Sequence, residues 1–124
     1  MLKNKIDSIS AKLADVIVFG MQEKKGNEIV RLDLKPIKGA VTDYFVICHA
    51  DSAAQVSAIA KSVEAEVYKT FKQHPWRVEG LDQGEWVLLD FVDVVVHIFR
   101  TEKRKHYGIE DLWGDAEAAY YQSA

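Results

Sequence analysis

Several features that would point directly to a function class are scarce in this 124-residue chain. A single cysteine, Cys48, excludes an internal disulfide and a metal site of the two-Cys-two-His kind. No apolar run approaches the roughly 20 residues that a bilayer-spanning helix needs, and residues 1–10 do not resemble a signal peptide. The net charge of −3 argues against nucleic acid as the main ligand, because phosphate binding needs clustered lysine and arginine. We therefore expect a cytoplasmic, non-membrane protein.

Two amphipathic helices are predicted from the spacing of apolar side chains. From Ile6 to Ile17 these side chains recur every three or four residues, and Gly20 or Gly26 is expected to end the helix. The second helix should begin after an N-cap at Asp51 or Ser52 and stop before the proline that follows His74.

Strand-length apolar segments alternate with these helices. Strands are predicted at residues 28–34, 44–49, 76–79, 86–90 and 94–99, and a helical return at 102–112 is interrupted by Gly108. The short connection between the last two strands predicts an antiparallel hairpin. This order predicts an α/β (α+β) fold in a single domain at residues 1–116, with a mixed five-stranded sheet flanked by helices. Residues 117–124 are left as a C-terminal tail without a clear partner.

Polar side chains interrupt the predicted hairpin and raise the question of an enzyme. Asp90, Asp93 and His97 suit a divalent metal by donor type, but Asp93 and His97 should lie about 13 Å apart along one strand. Capping of the turn by an aspartate is the favoured explanation for at least one of the two acids. Nucleotidyltransfer needs paired carboxylates soon after a Gly-Ser turn, whereas residues 50–52 read Ala-Asp-Ser. A metal-dependent nucleotidyltransferase-like enzyme remains an alternative that lacks these parts.

Aromatic and basic side chains gather in and after the hairpin, which favours a binding surface. Trp86, Tyr107 and Trp113 flank a basic run at residues 100–106. Tryptophan, tyrosine and arginine are the residue types most enriched at interface hot spots. For Trp76, by contrast, we expect a half-buried core position.

Sequence blocks along nearly the whole chain resemble one known family, the ribosomal silencing factors, also called Iojap-like. The blocks that carry the resemblance are Thr42-Asp43-Tyr44-Phe45-Val46-Ile47, Gln55-Val56, Ala58-Ile59-Ala60, Glu79-Gly80, Trp86-Val87-Leu88-Leu89-Asp90, Asp93-Val94-Val95-Val96-His97-Ile98-Phe99 and Arg104-x-x-Tyr107-x-Ile109-Glu110-x-Leu112-Trp113. The resemblance implies a nucleotidyltransferase-like fold without the catalytic carboxylates.

The same resemblance implies a translation repressor without enzymatic activity, cofactor or metal. Its expected partner is the large ribosomal subunit, bound through the fourteenth protein of that subunit on the face that meets the small subunit. Occupying this site would block subunit joining and lower translation under nutrient limitation. A large-subunit assembly factor is the alternative within the family, and a minor contact to ribosomal RNA and a homodimer stay open. The expected partner-binding residues are Trp86 as the anchor, with Glu79, Asp90, Asp93, His97, Arg104, Tyr107 and Trp113.

Two positions depart from the family pattern. Val92 stands where members commonly have glycine, and a β-branched residue resists positive φ, so we expect another turn geometry or a bulge there. Ala50 replaces the usual glycine after the second strand, which argues further against a phosphate-binding loop.

Overall fold

The computed structural model describes residues 2–123, except for the side chains of residues 2–8. Within this range the chain forms four helices and six strands. In chain order these are α1 (Leu2–Glu23), β1 (Asn27–Asp33), β2 (Tyr44–Ala50), α2 (Ala53–Phe71), β3 (Arg77–Glu79), β4 (Trp86–Asp90), β5 (Val94–Arg100), α3 (Thr101–Tyr107), α4 (Ile109–Leu112) and β6 (Glu117–Tyr121).

The strands form one mixed sheet in the order β3-β4-β5-β2-β1-β6. β2 and β5 run parallel, and the other neighbouring pairs are antiparallel, including the predicted β4–β5 hairpin. The sheet has six strands, so the expected count of five was wrong. The additional strand, β6, comes from the segment expected to be a tail, and it pairs with β1 from Ile29 opposite Tyr121 to Asp33 opposite Glu117. Its sequence, Glu-Ala-Ala-Tyr-Tyr, has no alternation of apolar and polar residues, so no local pattern predicts a strand there.

α1 and α2 cover one face of the sheet and enclose the main core. Ser52 is the N-cap of α2, where its hydroxyl accepts a hydrogen bond from the Gln55 backbone N–H at 3.1 Å. Gly20 does not end α1, which continues to Glu23. Its lack of a side chain lets the helices approach closely, since a Cβ there would lie 2.8 Å from the Val63 Cα.

The opposite face of the sheet is only partly covered. A smaller apolar cluster, which includes Val30, Ile47 and Phe99, lies beneath α4 and the loop between β1 and β2. Beyond this cover the sheet presents apolar side chains that remain half-buried. We call this surface the open face; it comprises Phe45, Trp86, Leu88 and Val95 of the sheet and Trp113, which follows α4 and packs beside them.

The turn between β4 and β5 contradicts the expectation for Val92, whose φ is +76°. The Asp93 N–H donates to the Phe91 carbonyl at 3.0 Å, so Val92 is the central residue of a γ-turn with positive φ. The Val92 N–H donates to Asp90 Oδ1 at 2.8 Å, and its carbonyl accepts from the Thr42 hydroxyl at 2.9 Å. These bonds hold the peptide groups on both sides of Val92, so the surroundings impose a geometry that valine alone disfavours.

Candidate protein-binding face

Trp86 is the centre of an aromatic cluster on the open face. It is the first residue of β4 and pairs with Phe99 of β5, whose ring stacks on the indole at a centroid distance of 5.0 Å. Tyr107, at the end of α3, packs against the same indole at 4.6 Å. The structure therefore brings together three of the predicted partner-binding residues: Trp86, Tyr107 and, through a hydrogen bond, His97. The indole is half-buried, which leaves part of it available to a partner.

His97 lies beneath this cluster and fixes the orientation of the indole. Trp86 Nε1–H donates to His97 Nδ1 at 3.1 Å, so the neutral imidazole carries its proton on Nε2. Burial lowers the pKa of His97 from 6.5 to about 4, which keeps the ring neutral at physiological pH. With only 4% of the residue exposed, His97 supports Trp86 from below.

Phe45 extends the aromatic cluster towards the C-terminal helices. Its ring meets His97 edge-on at 4.6 Å and Trp113 edge-on at 5.8 Å. Phe45 was not among the predicted site residues. The sequence signal that could have found it is the alternation along the predicted strand, which places Phe45 on the face opposite to Tyr44 and Val46.

Arg104 connects α3 to the sheet and to α4 instead of projecting from the open face. Its Nε and Nη2 donate to the two carboxylate oxygens of Glu110 at 2.8 and 3.1 Å. Its Nη1 donates to the Glu28 carbonyl at 2.7 Å and lies 2.9 Å from His49 Nδ1. Burial and the neighbouring guanidinium lower the pKa of His49. These contacts indicate a structural role for Arg104.

Two of the three predicted carboxylates, Asp90 and Asp93, lie at the far end of the hairpin from Trp86, whereas Glu79 lies on the neighbouring strand β3 opposite Leu88. Asp90 is at the far end of β4, about 13 Å along the strand, where it caps the turn through the Val92 N–H. Asp93 is exposed in the same turn, and Glu79 is exposed on the edge strand β3, 3.2 Å from the Arg77 guanidinium.

The possible metal ligands do not converge. In the strand register Asp90 pairs with Val95, whereas His97 pairs with Leu88 and has its Nδ1 bonded to Trp86. Among the residues that the structure describes, no group of three or more His, Cys, Asp and Glu side chains could hold a metal ion.

Trp76 corrects a further expectation, because 76% of it is exposed and it is not part of the core. It follows Pro75 and precedes β3, with its backbone N–H donating to the Asp90 carbonyl at 2.7 Å. The apolar character of tryptophan suggested burial, but the adjacent strand β3 is an edge strand whose three residues are all exposed.

Comparison with known proteins assigns the family. The model of the family described as "Ribosomal silencing factor during starvation" matches residues 7–123. The chain belongs to this family. None of the helices within the described range is long and apolar enough to cross a membrane.

Individual relatives agree with this assignment. The chain is 42% identical to a protein named ribosomal silencing factor from Bacillus subtilis, over 78% of this chain and 80% of the relative. It is also 42% identical to the protein of the same name from Halalkalibacterium halodurans, over 85% of this chain and 88% of the relative. A mouse protein named for mitochondrial assembly of the ribosomal large subunit is 31% identical over 86% of this chain and 48% of its own length.

A solved structure confirms the mixed α+β fold. The crystal structure of a Chromobacterium violaceum protein superimposes with a TM-score of 0.79 at 32% sequence identity, covering 84% of this chain and 85% of that one.

Proposed function

We propose that this protein represses translation in the cytoplasm by binding the large ribosomal subunit through its fourteenth protein and sterically blocking the small subunit. Blocking the small subunit in this way would lower translation under nutrient limitation. The observation that carries the proposal is the half-exposed aromatic cluster around Trp86, on the open face of a member of the silencing-factor family.

The open face suits a protein partner because its anchor is already ordered. Phe99, Tyr107 and His97 hold the Trp86 indole by stacking, packing and a hydrogen bond. Binding therefore costs less side-chain entropy than it would for a free indole. Steric blocking requires only that the protein occupy the surface of the large subunit that meets the small subunit, and no reactive group is needed. We assign direct contact to Trp86, Tyr107 and Trp113, and supporting roles to His97, which is buried, and to Arg104.

The carboxylates of the hairpin end and of β3 would act through charge. Asp90 and Asp93 place negative charge at the end of the hairpin opposite Trp86, and Glu79 adds negative charge on the edge strand β3 opposite Leu88. Proteins of the ribosome are mostly basic because they neutralise RNA, so these groups would attract the partner over distance. Such complementarity mainly raises the association rate, which should fall as salt rises.

Replacement of Trp86 by alanine tests the anchor. We expect Trp86→Ala to weaken cosedimentation with purified large subunits by about thirtyfold or more, the usual cost at an aromatic hot spot. Tyr68→Ala is the matched control, because Tyr68 is a partly exposed aromatic on α2, on the other side of the sheet. The control should bind normally, and both variants should be checked for folding by thermal melting. Normal binding by Trp86→Ala would contradict the anchor role.

The order of addition tests steric blocking. Protein added to free subunits before mixing should inhibit their joining in stopped-flow light scattering, whereas preformed ribosomes should be split poorly because the site is already covered. No nucleoside triphosphate should be required. Equal inhibition in both orders, or turnover of a nucleotide with Mg²⁺ or Mn²⁺, would point away from blocking and towards the enzymatic alternative.

A second candidate, large-subunit assembly, is favoured by the similarity to the mouse protein named for that process. In this role the protein would bind the same partner, the large subunit, but during assembly of the subunit and not after it. Accumulation of large-subunit precursors when the protein is depleted, with normal joining of mature subunits in its presence, would select assembly.

A further inference from the structure

The open face continues into an apolar cleft at the end of the β4–β5 hairpin. The cleft measures about 370 Å³ and is lined by Val41, Thr42, Trp76, Asp90, Val92 and Val95. Three of these side chains are exposed to an unusual degree for apolar groups: 94% for Val41, 76% for Trp76 and 58% for Val92. Contiguous exposed apolar surface of this kind marks interaction sites on soluble proteins.

The walls of the cleft are held in place by hydrogen bonds. The Trp76 N–H is bonded to the Asp90 carbonyl at 2.7 Å, which attaches the Trp76 backbone to the end of β4. The Thr42 hydroxyl and the Asp90 carboxylate both bond to the backbone of Val92. The positive φ of Val92 is thereby maintained, and its side chain stays at the rim. Retained backbone strain of this kind is concentrated at functional positions.

The cleft and the Trp86 cluster share one face of the sheet. Trp86, Leu88 and Asp90 alternate along β4, and their partners in register on β5 are Phe99, His97 and Val95. Side chains two residues apart on a strand point to the same side. A partner that is seated on Trp86 and extends along β4 would pass over Leu88 and reach the cleft.

The charge around the cleft indicates what would enter it. Asp90 lies within the lining and Asp93 is exposed in the adjacent turn. The guanidinium of Arg77 lies 3.8 Å from Asp90, but it is closer to Glu79, at 3.2 Å. An apolar side chain would fill the cleft between Trp76 and Val92, and a lysine or arginine next to it would approach Asp90.

We propose that this cleft is a second docking point for the basic protein partner that binds at Trp86, and that it takes an apolar side chain flanked by a lysine or arginine. The inference rests on the proposed function, since both contacts belong to one interface. Trp76 is the second anchor. Asp90 caps the turn by accepting the Val92 N–H, and it supplies the negative charge of the cleft.

Two variants test the cleft in binding to purified large subunits. Trp76→Ala should weaken binding roughly tenfold or more, without changing the melting temperature, because the indole is exposed. Asp90→Asn keeps an oxygen to accept the Val92 N–H and removes the charge. It should weaken binding severalfold and make the affinity less sensitive to salt. Tyr68→Ala is the control for loss of an exposed aromatic.

The outcomes separate the two proposals. Lost binding by Trp86→Ala together with normal binding by Trp76→Ala would overturn the second docking point and leave the proposed function in place. Failure of the unmodified protein to cosediment with large subunits would overturn both. An unchanged salt dependence in Asp90→Asn would overturn the predicted lysine or arginine at the cleft.

Discussion

Replacement of Val92 by glycine should stabilise the protein, an unusual outcome for a change that removes an entire side chain. A non-glycine residue held at positive φ stores about 1–3 kcal/mol of strain. Val92 has a φ of +76°, and 58% of the residue is exposed, so little burial is lost on truncation. Glycine loses about 0.5–1 kcal/mol more conformational entropy on folding. The balance is a gain of about 1 kcal/mol in the free energy of unfolding.

Chemical denaturation with urea measures this gain directly as a higher midpoint with an unchanged m-value. The melting temperature should rise by roughly 3–5 °C for a domain of this size. Val41→Gly is the matched control, because Val41 is 94% exposed and is not among the residues with positive φ. That control should lose up to about 1 kcal/mol, since it adds entropy to the unfolded chain and relieves no strain.

The comparison of the two glycine variants shows whether the γ-turn at Val92 stores strain. If Val92→Gly is no more stable than the unmodified protein, or falls by the same amount as Val41→Gly, the γ-turn stores no strain. Val92→Ala provides an intermediate case, because it removes the β-branch but keeps a Cβ at positive φ, and its stability should lie between those of valine and glycine at this position.

Two buried titratable groups give further predictions. Burial lowers the pKa of His97 from 6.5 to about 4. The contribution of the neutral imidazole to the free energy of unfolding is therefore complete above pH 6.5 and is lost as the pH falls towards 4. The total loss is about 3 kcal/mol. Urea unfolding between pH 7 and pH 4 should therefore show a shallower pH dependence for His97→Gln, and equal slopes would contradict this. Burial raises the pKa of the Cys48 thiol to about 12, so iodoacetamide at pH 8 should label it only after unfolding. Rapid labelling of the native protein would show that the core opens around β2.

Features set by local chemistry could be predicted from the sequence. The Ser52 cap, the break at Gly108 and the β4–β5 hairpin each depend on residues close together in the chain. The burial of β2 on both faces in the middle of the sheet is visible as a nearly continuous apolar run. The family resemblance, and with it the expectation that Trp86 is an anchor, also came from short blocks of residues.

Features that depend on distant segments were decided only by the tertiary structure. β6 forms because β1 offers a free edge some 90 positions earlier in the chain. The hydrogen bond from Trp86 to His97 depends on the strand register, and the contacts of Arg104 join α3 to β1.

Trp76 and Val92 show why the pattern of residue types is not enough. Tryptophan is apolar enough to be buried, but burial needs a covering element, and all three residues of the neighbouring edge strand β3 are exposed. Valine disfavours positive φ, but the hydrogen bonds that the Val92 N–H donates to Asp90 and that the Val92 carbonyl accepts from Thr42 impose that geometry. Local preferences amount to about 1 kcal/mol per residue, so long-range packing and hydrogen bonding override them wherever the fold brings distant groups together.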